Sequence, residues 1–418
     1  MSGVIRATRA EINLDALRNN FEIIKNAIPG GTAVCAAVKA NAYGHGDKEI
    51  SAELRSLGAE YLGVSSPYEG IKLREAGDTG KIVLFGPTVA EEIPLSITAG
   101  LELFISDGYY LEKVIENAKL AAGENFSEPG RNSLLKKFFT ASRDKTNQNK
   151  AGFSAQQKKF PVPLHLKIDT GMGRVGCSIK EAPELAKKIA ESPYVFLAGI
   201  SSHLPSADSI DPEDIEFTEE QGRIFAETVN KIKKMGIEPG IRHIANSGAI
   251  ATNPELAFNM VRSGIALYGY GLPITPGRSL VPVMKFMTKV TSVKKIYKGM
   301  SVSYGRTWTA VEDTYTALLP VGYADGYFRN LSNKAEVLIN GKRYPVIGRI
   351  CMDQTIINIG KKDPRSSGIL PGTEVTLFGA DKKGPDAQEI ADLSGTIPYE
   401  VTCAVSARVP RVYIKNSK

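Results

Sequence analysis

At 418 residues, with 42% apolar and 23% charged side chains, the chain has ordinary globular composition and exceeds what one hydrophobic core supports. No stretch approaches the roughly 20 apolar residues that span a bilayer, no apolar h-region follows the basic start, and Cys35, Cys177, Cys351 and Cys403 are isolated. These features argue against membrane insertion, export and a metal or disulfide framework, and a soluble cytoplasmic protein is expected. The net charge of +7 hints at nucleic acid, yet residues 131–159 hold eight Lys/Arg against one acid, Asp144, which is the whole surplus. No general basic surface is left for a nucleic-acid partner.

In chain order, Leu14, Leu17, Phe21 and Ile24 fall at helical spacing behind an N-cap at Asn13 or Asp15. Apolar runs then recur at 34–38, 61–64, 82–85, 101–105, 164–168, 196–200, 242–245 and 260–266, mostly continuous rather than alternating, as strands covered on both faces require. Helical patterns at 69–76, 182–190 and 219–235 lie between them. This alternation predicts an α/β architecture, a (β/α)8 TIM-type barrel over residues 12–280, with reactive groups at the C-terminal strand ends. Between the fourth and fifth runs, residues 123–160 are rich in Lys, Asn, Gln and Ser and read as a solvated basic insertion. Leu134, Leu135, Phe138 and Phe139 supply it with one short amphipathic helix.

Beyond residue 280 the pattern changes to a mostly antiparallel β-domain over 281–418. Met284, Phe286, Thr288 and Val290 alternate along one face, and Asn340-Gly341 marks a hairpin turn. Further strands are predicted at 314–321, 355–359 and 374–378, and helix signals nearly vanish.

The first run ends in Ala37-Val38-Lys39-Ala40-Asn41-Ala42-Tyr43-Gly44-His45-Gly46. Two readings compete for Lys39: a desolvated amine able to form a Schiff base, or a lysine leaving a strand for solvent. The other strand ends carry polar clusters. The fifth runs His165-Leu166-Lys167-Ile168-Asp169-Thr170-Gly171-Met172-Gly173-Arg174, the sixth Ser201-Ser202-His203, the seventh Asn246-Ser247-Gly248 and the eighth Arg262-Ser263-Gly264-Ile265. Ser247, Gly264 and Ile265 suit a phosphate cradle after strands seven and eight, and with a Schiff-base lysine they suggest pyridoxal 5'-phosphate.

These motifs, with Ser303-Tyr304-Gly305-Arg306-Thr307-Trp308, Gly322-Tyr323-Ala324-Asp325-Gly326, Gly348-Arg349-Ile350-Cys351-Met352-Asp353-Gln354 and Tyr399-Glu400, span almost the whole chain in one order. Together they resemble the alanine racemase family of fold-type III pyridoxal-phosphate enzymes. The resemblance implies interconversion of L- and D-alanine by two bases, supplying D-alanine for peptidoglycan. Lys39 then resembles the Schiff-base lysine and the base on the D-face, and Tyr304 the base on the L-face. Two bases suit inversion through a planar carbanion. A free tyrosine, with a pKa near ~10, needs a cationic neighbour to act as a base at neutral pH, and the resemblance supplies His203 beside Tyr304, backed by Arg262. Arg262 also resembles the partner of the pyridine nitrogen and Arg174 that of the phenolic oxygen. Tyr43, Asn246, Ser247, Gly264, Ile265 and Tyr399 match cofactor contacts, while Arg174, Tyr323 and Met352 match substrate contacts. Lys167 matches a lysine that many members carry carbamylated; an unmodified lysine is the alternative. The family pattern also implies a head-to-tail homodimer in which Tyr304 and Met352 cross the interface.

His45, His165 and His243 receive no role, and His165 is expected to point outside the barrel or cap a strand. Three departures stand out: Arg9 where an aromatic residue is common, Pro205 after the strand-six histidine, and the length of the basic insertion. They bear on substrate range and partners more than on reaction type. A broader amino-acid racemase is the runner-up. A fold-type III decarboxylase calls for an acid at the position of Arg262. A non-enzymatic pyridoxal-phosphate carrier would have a barrel only.

Overall fold

The computed structural model describes residues 6–123 and 161–415, so nearly all of the basic insertion, with the short helix expected in it, falls outside the described residues. Eight parallel strands follow one another around a ring: β2 (Ala33–Ala37), β3 (Tyr61–Val64), β4 (Lys81–Leu84), β5 (Glu102–Ile105), β6 (Val162–Lys167), β7 (Val195–Ser201), β8 (Ile241–His243) and β9 (Met260–Ser263). β2 pairs with β9, and Arg262 N–H donates to the Ala245 carbonyl at 2.9 Å across the remaining seam beside β8. The two-residue period of each strand sorts its side chains. Val34, Leu103, Leu164, Leu166 and Val261 join the core under the helices, while Cys35, Tyr61, Val83, Phe104 and Met260 pack together on the other face. Both faces are buried, which is why the runs read as continuously apolar.

The helix Leu14–Ala27 takes Asn13 as its N-cap, with Oδ1 accepting from the amides of Asp15 and Ala16 at 3.0 Å each. The helix Pro212–Lys234 starts well before the predicted residue 219 because Asp211 caps it and Pro212 occupies its first turn. Its first turns are mostly exposed and carry little apolar periodicity.

The second region is built on a six-stranded sheet ordered β16-β15-β18-β10-β1-β19, with a three-stranded sheet β11-β14-β17 and a two-stranded ribbon β12-β13. The six strands are β1 (Arg9–Asn13), β10 (Met284–Lys289), β15 (Glu336–Ile339), β16 (Lys342–Pro345), β18 (Glu374–Phe378) and β19 (Arg411–Ile414). The smaller sheets use β11 (Ser292–Ile296), β12 (Ser301–Val302), β13 (Trp308–Thr309), β14 (Thr314–Leu319) and β17 (Thr355–Gly360). On β10, Met284, Phe286 and Thr288 are fully buried as the alternation predicts. An irregularity after Phe286 turns Met287 inward as well. Asn340 (φ 49°) and Gly341 (φ 74°) form the expected hairpin turn between β15 and β16.

Two features were not foreseen. β1 lies antiparallel to β10 and parallel to β19, so a strand preceding the barrel belongs to the second sheet. Arg9 on that strand pairs with Glu11 at 2.7 Å and Glu374 at 3.0 Å. The helices Ala387–Ser394 and Pro398–Ala404 occupy a region whose sequence carries almost no helix signal. Their 8 and 7 residues are too few for a periodic pattern to stand out.

Directly after β2 the backbone makes a left-handed turn, with Ala40, Asn41, Ala42 and Tyr43 at φ 53°, 56°, 53° and 53°. Four L-residues in this region cost roughly 1–2 kcal/mol each. Hydrogen bonds on every side offset the strain. Glu69 accepts from Ala40 N–H at 2.7 Å, Asn41 Oδ1 accepts from Asp47 N–H at 3.0 Å, and His45 Nδ1–H donates to the Ala42 and Tyr43 carbonyls at 3.0 and 2.9 Å. His45, which had no role in the sequence, clamps this turn.

Two measurements test this architecture. Phe286→Ala removes a fully buried ring packed on Phe378 and should lower the unfolding free energy by about 3–5 kcal/mol in urea; a loss below about 1 kcal/mol would contradict its core placement. At exposed Ala40, glycine should leave stability unchanged or raise it by up to about 1 kcal/mol, and valine should lower it by more than about 1 kcal/mol. Equal losses from both substitutions would mean that the turn is not left-handed.

Candidate functional site

The inner-face positions at the C-terminal strand ends converge. Lys39 leaves β2 at this end, and burial, then the charges of Arg174 and Arg262, hold its amine below the ordinary lysine range against the opposing Glu69 and Cys403. Lys167, the last residue of β6, is buried, and its Nζ donates to the Ile168 carbonyl at 3.3 Å. Burial first, then Arg262, brings that amine down to about 7. A fraction of it is therefore neutral at physiological pH, the form that adds to electrophiles.

Arg262 on β9 is buried and spends its donors on fixed acceptors. Nη1–H groups reach His243 Nδ1 at 2.8 Å and the His243 carbonyl at 2.9 Å. Nη2–H groups face the Ser202 carbonyl at 2.7 Å, His203 Nδ1 at 3.0 Å and the Ile244 carbonyl at 3.2 Å. Among the described residues no acceptor takes the Nε–H. A guanidinium has no lone pair to offer, so both Nδ1 atoms must accept, and each neutral ring carries its proton on Nε2. Burial and then Arg262 push His203 down to about 2, and the same causes push His243 well below the usual imidazole range. Burial also lowers Arg262 to about 10, which leaves it charged at neutral pH. The sequence suggested a cationic His203; the charge sits on Arg262, and His203 is a neutral donor through Nε2.

Beside this group lies a cradle of donors. Ser247 Oγ accepts from Gly264 N–H at 2.9 Å and Ala266 N–H at 3.4 Å, the amides on either side of Ile265. A Cβ on Gly264 would sit 2.6 Å from the Tyr43 hydroxyl, so only glycine allows that approach. Tyr43 stacks on Tyr268 at 4.8 Å and lies 5.9 Å from the Tyr399 ring. Burial raises the Tyr43 hydroxyl and brings Tyr399 up to about 12, so both stay protonated donors at neutral pH. Hydroxyls and backbone amides suit an oxyanion such as phosphate. Asn246 is committed elsewhere: Oδ1 caps the helix Ser247–Thr252 through Ala249 N–H, and Nδ2 donates to the Leu204 carbonyl beside Pro205.

A second group forms on the β-sheet region. Tyr304, Tyr323 and Met352 are 72%, 41% and 53% exposed on three neighbouring loops. Tyr323 N–H donates to the Cys351 carbonyl at 3.1 Å, and Ser303 Oγ–H to the Arg349 carbonyl at 2.5 Å, which ties those loops together. Among the described residues no hydrogen bond or ring contact joins Tyr304 to His203. One chain thus presents two clusters.

The expectation that His165 points outward is corrected. It is fully buried on the inner face, the same face of β6 as Lys167, with Nε2 2.7 Å from Glu102 and Nδ1 2.9 Å from His243. Sequence reasoning gave Glu102, Glu69 and Tyr268 no role in the site. An acid inside the apolar run Leu101-Glu102-Leu103-Phe104-Ile105, beside a histidine in the next run, was the available signal.

Comparison with known proteins shows which family the chain is similar to. Residues 12–127 and 141–272 match the model of the alanine racemase N-terminal domain, and residues 283–413 that of the C-terminal domain. The alanine racemase of Treponema denticola is 39% identical over 417 residues, covering 98% of this chain and 99% of that one. That of Geobacter sulfurreducens is 36% identical, covering 99% and 98%. Among solved structures, the alanine racemase of Clostridium difficile superposes with a TM-score of 0.83 at 34% identity, covering 99% of this chain and 97% of that one. The enzyme from a D-cycloserine-producing Streptomyces lavendulae gives 0.82 at 31% identity, covering 99% and 98%. The chain belongs to the alanine racemase family.

Proposed function

We propose that the protein interconverts L- and D-alanine with pyridoxal 5'-phosphate, working as a cytoplasmic homodimer that supplies D-alanine for peptidoglycan. The observation that carries this reading is the charged Arg262, joined through Nη1 to His243 and through Nη2 to a neutral His203, at the mouth that also holds Lys39. The residues present fit the cofactor. Lys39 would hold it covalently, the Ser247, Tyr43 and Tyr399 hydroxyls with the Gly264 and Ile265 amides would take its phosphate, and Arg174 and Arg262 would face its ring. When bound, it supplies an electron sink beside the α-carbon.

The chain's own residues do the rest. The Lys39 amine, held below its usual pKa, moves the α-proton on one face. Tyr304 of a second copy moves it on the other, and the exposure of Tyr304 in one chain supports that assignment. His203 donates its Nε2–H to that phenol oxygen, which favours the phenolate without a charged imidazole. Arg174, Tyr323 and Met352 would orient the substrate, the latter two from the partner's side. The division between β9 and β10 then has a purpose, since a barrel holds the cofactor and a β-domain lends Tyr304 to its neighbour. Among the described residues no helix is long and apolar enough to cross a membrane.

Exchange of the α-proton in heavy water tests the two bases. Tyr304→Phe should lose exchange from L-alanine by roughly 100-fold or more, the usual range for a general base, and lose far less from D-alanine. Equal loss from both enantiomers would refute the assignment. Lys39→Ala should lose the visible absorbance of bound cofactor. Separately, Lys167 is proposed to be carbamylated, as its lowered pKa and single carbonyl partner favour. Isotope-labelled bicarbonate should then give a carbamate carbonyl resonance that Lys167→Ala abolishes; a spectrum without that resonance would leave a plain lysine.

A further inference from the structure

The hydrogen bonds of the site do not stop at Arg262. They continue down the barrel interior through His243 and His165 to Glu102 at the start of β5, and donor chemistry allows only one direction. Arg262 Nη1 must donate to His243 Nδ1 at 2.8 Å, so neutral His243 bears its proton on Nε2. That proton points to His165 Nδ1 at 2.9 Å, which must therefore accept. His165 then bears its proton on Nε2 and donates to Glu102 Oε2 at 2.7 Å. A protonated His165 would aim an N–H at His243 and demand an imidazole with no proton at all. The carboxylate is the acceptor in which the chain ends.

The interior is shaped around this path. Glu102, His165, His243 and Arg262 are all at most 7% exposed. The two imidazoles meet edge to face at 80° with Phe104 against both. A Cβ on Gly199 of β7 would lie 2.4 Å from His165 Nδ1, so the neighbouring strand leaves room for that ring. Lys81 and Arg74 both feel the charge of Glu102.

We propose that Glu102 and His165 are positioning residues for racemisation: by fixing the tautomer of His243 from below, they hold the Arg262 guanidinium in the one orientation that serves His203 and the ring nitrogen of the cofactor. Without the Glu102 acceptor, His165 is free to place its proton on Nδ1. His243 then meets a donor at Nε2 and moves its own proton to Nδ1, against the Arg262 Nη1–H. The guanidinium must shift, and its donation to His203 Nδ1 weakens with it. The inference rests on the racemase reading for its functional consequence, but its physical core concerns protons on named nitrogens.

The test uses the full-length protein loaded with pyridoxal 5'-phosphate, with isotope-labelled histidine. Because the chain has only four histidines, the imidazole nitrogen resonances can be assigned by single substitution. Wild type should show His165, His203 and His243 neutral and protonated on Nε2. Glu102→Leu should shift His165 and His243 toward the Nδ1–H form and lower kcat about tenfold or more, as loss of a supporting partner typically does, while KM for alanine changes little. Glu102→Gln, whose carbonyl still accepts, should restore both the tautomers and kcat. The proposal is overturned if His243 stays protonated on Nε2 in Glu102→Leu, or if Glu102→Gln is as impaired as Glu102→Leu. Failure of the racemase reading looks different: wild type would then show the predicted tautomers without racemising alanine.

Discussion

A guanidinium buried where three barrel strands end is the constraint around which the site is arranged. Burying a charge without partners is prohibitive, so the two Nη groups of Arg262 must be met by acceptors. It finds them in the Ser202 carbonyl after β7, the His243 and Ile244 carbonyls at the end of β8, and two imidazole nitrogens. These bonds stitch the seam where the barrel closes. Because arginine only donates, they also dictate where the protons of His203 and His243 lie. One side chain thereby ties the seam of the ring and sets the polarity of the barrel mouth.

Around that fixed charge the remaining groups are held by strain and by packing rather than by freely adjustable side chains. The left-handed turn at residues 40–43 is unfavourable alone and persists because Glu69 takes its Ala40 amide, His45 donates to its Ala42 and Tyr43 carbonyls, and the Asn41 side chain anchors it to the Asp47 amide. It delivers Tyr43 against Gly264, where a methyl group would already collide. Strain of this kind persists only where the surroundings over-determine the backbone, which makes the Lys39 end of β2 a rigid platform.

The chain nevertheless presents its chemistry in two pieces. The barrel mouth gathers amines, Arg262 and a phosphate-type cradle, and the β-sheet region gathers three exposed side chains on loops bonded to one another. Tyr304, 72% exposed in one chain, is left open to be covered by another. Burial against a second copy is what would change its chemistry. The proposed dimer would supply that burial.

Much of this was legible in the sequence. Eight continuous apolar runs specified a barrel because strands covered on both faces have no polar alternation, and Lys39, Lys167, His203, Arg262 and Ser247 could be placed at strand ends by position alone. Asn340-Gly341 specified its turn through its two positive φ angles. Local rules reach no further than neighbouring residues. They could not pair β1 with strands from the far end of the chain, nor reveal that His203 is neutral while Arg262 holds the charge, nor show that Asn246 is spent on a helix cap. Glu102, His165 and His243 lie far apart in sequence and each reads as a minor irregularity in an apolar run. Only closure of the barrel brings them within hydrogen-bond distance, and only there does a guanidinium that cannot accept decide where each proton must be.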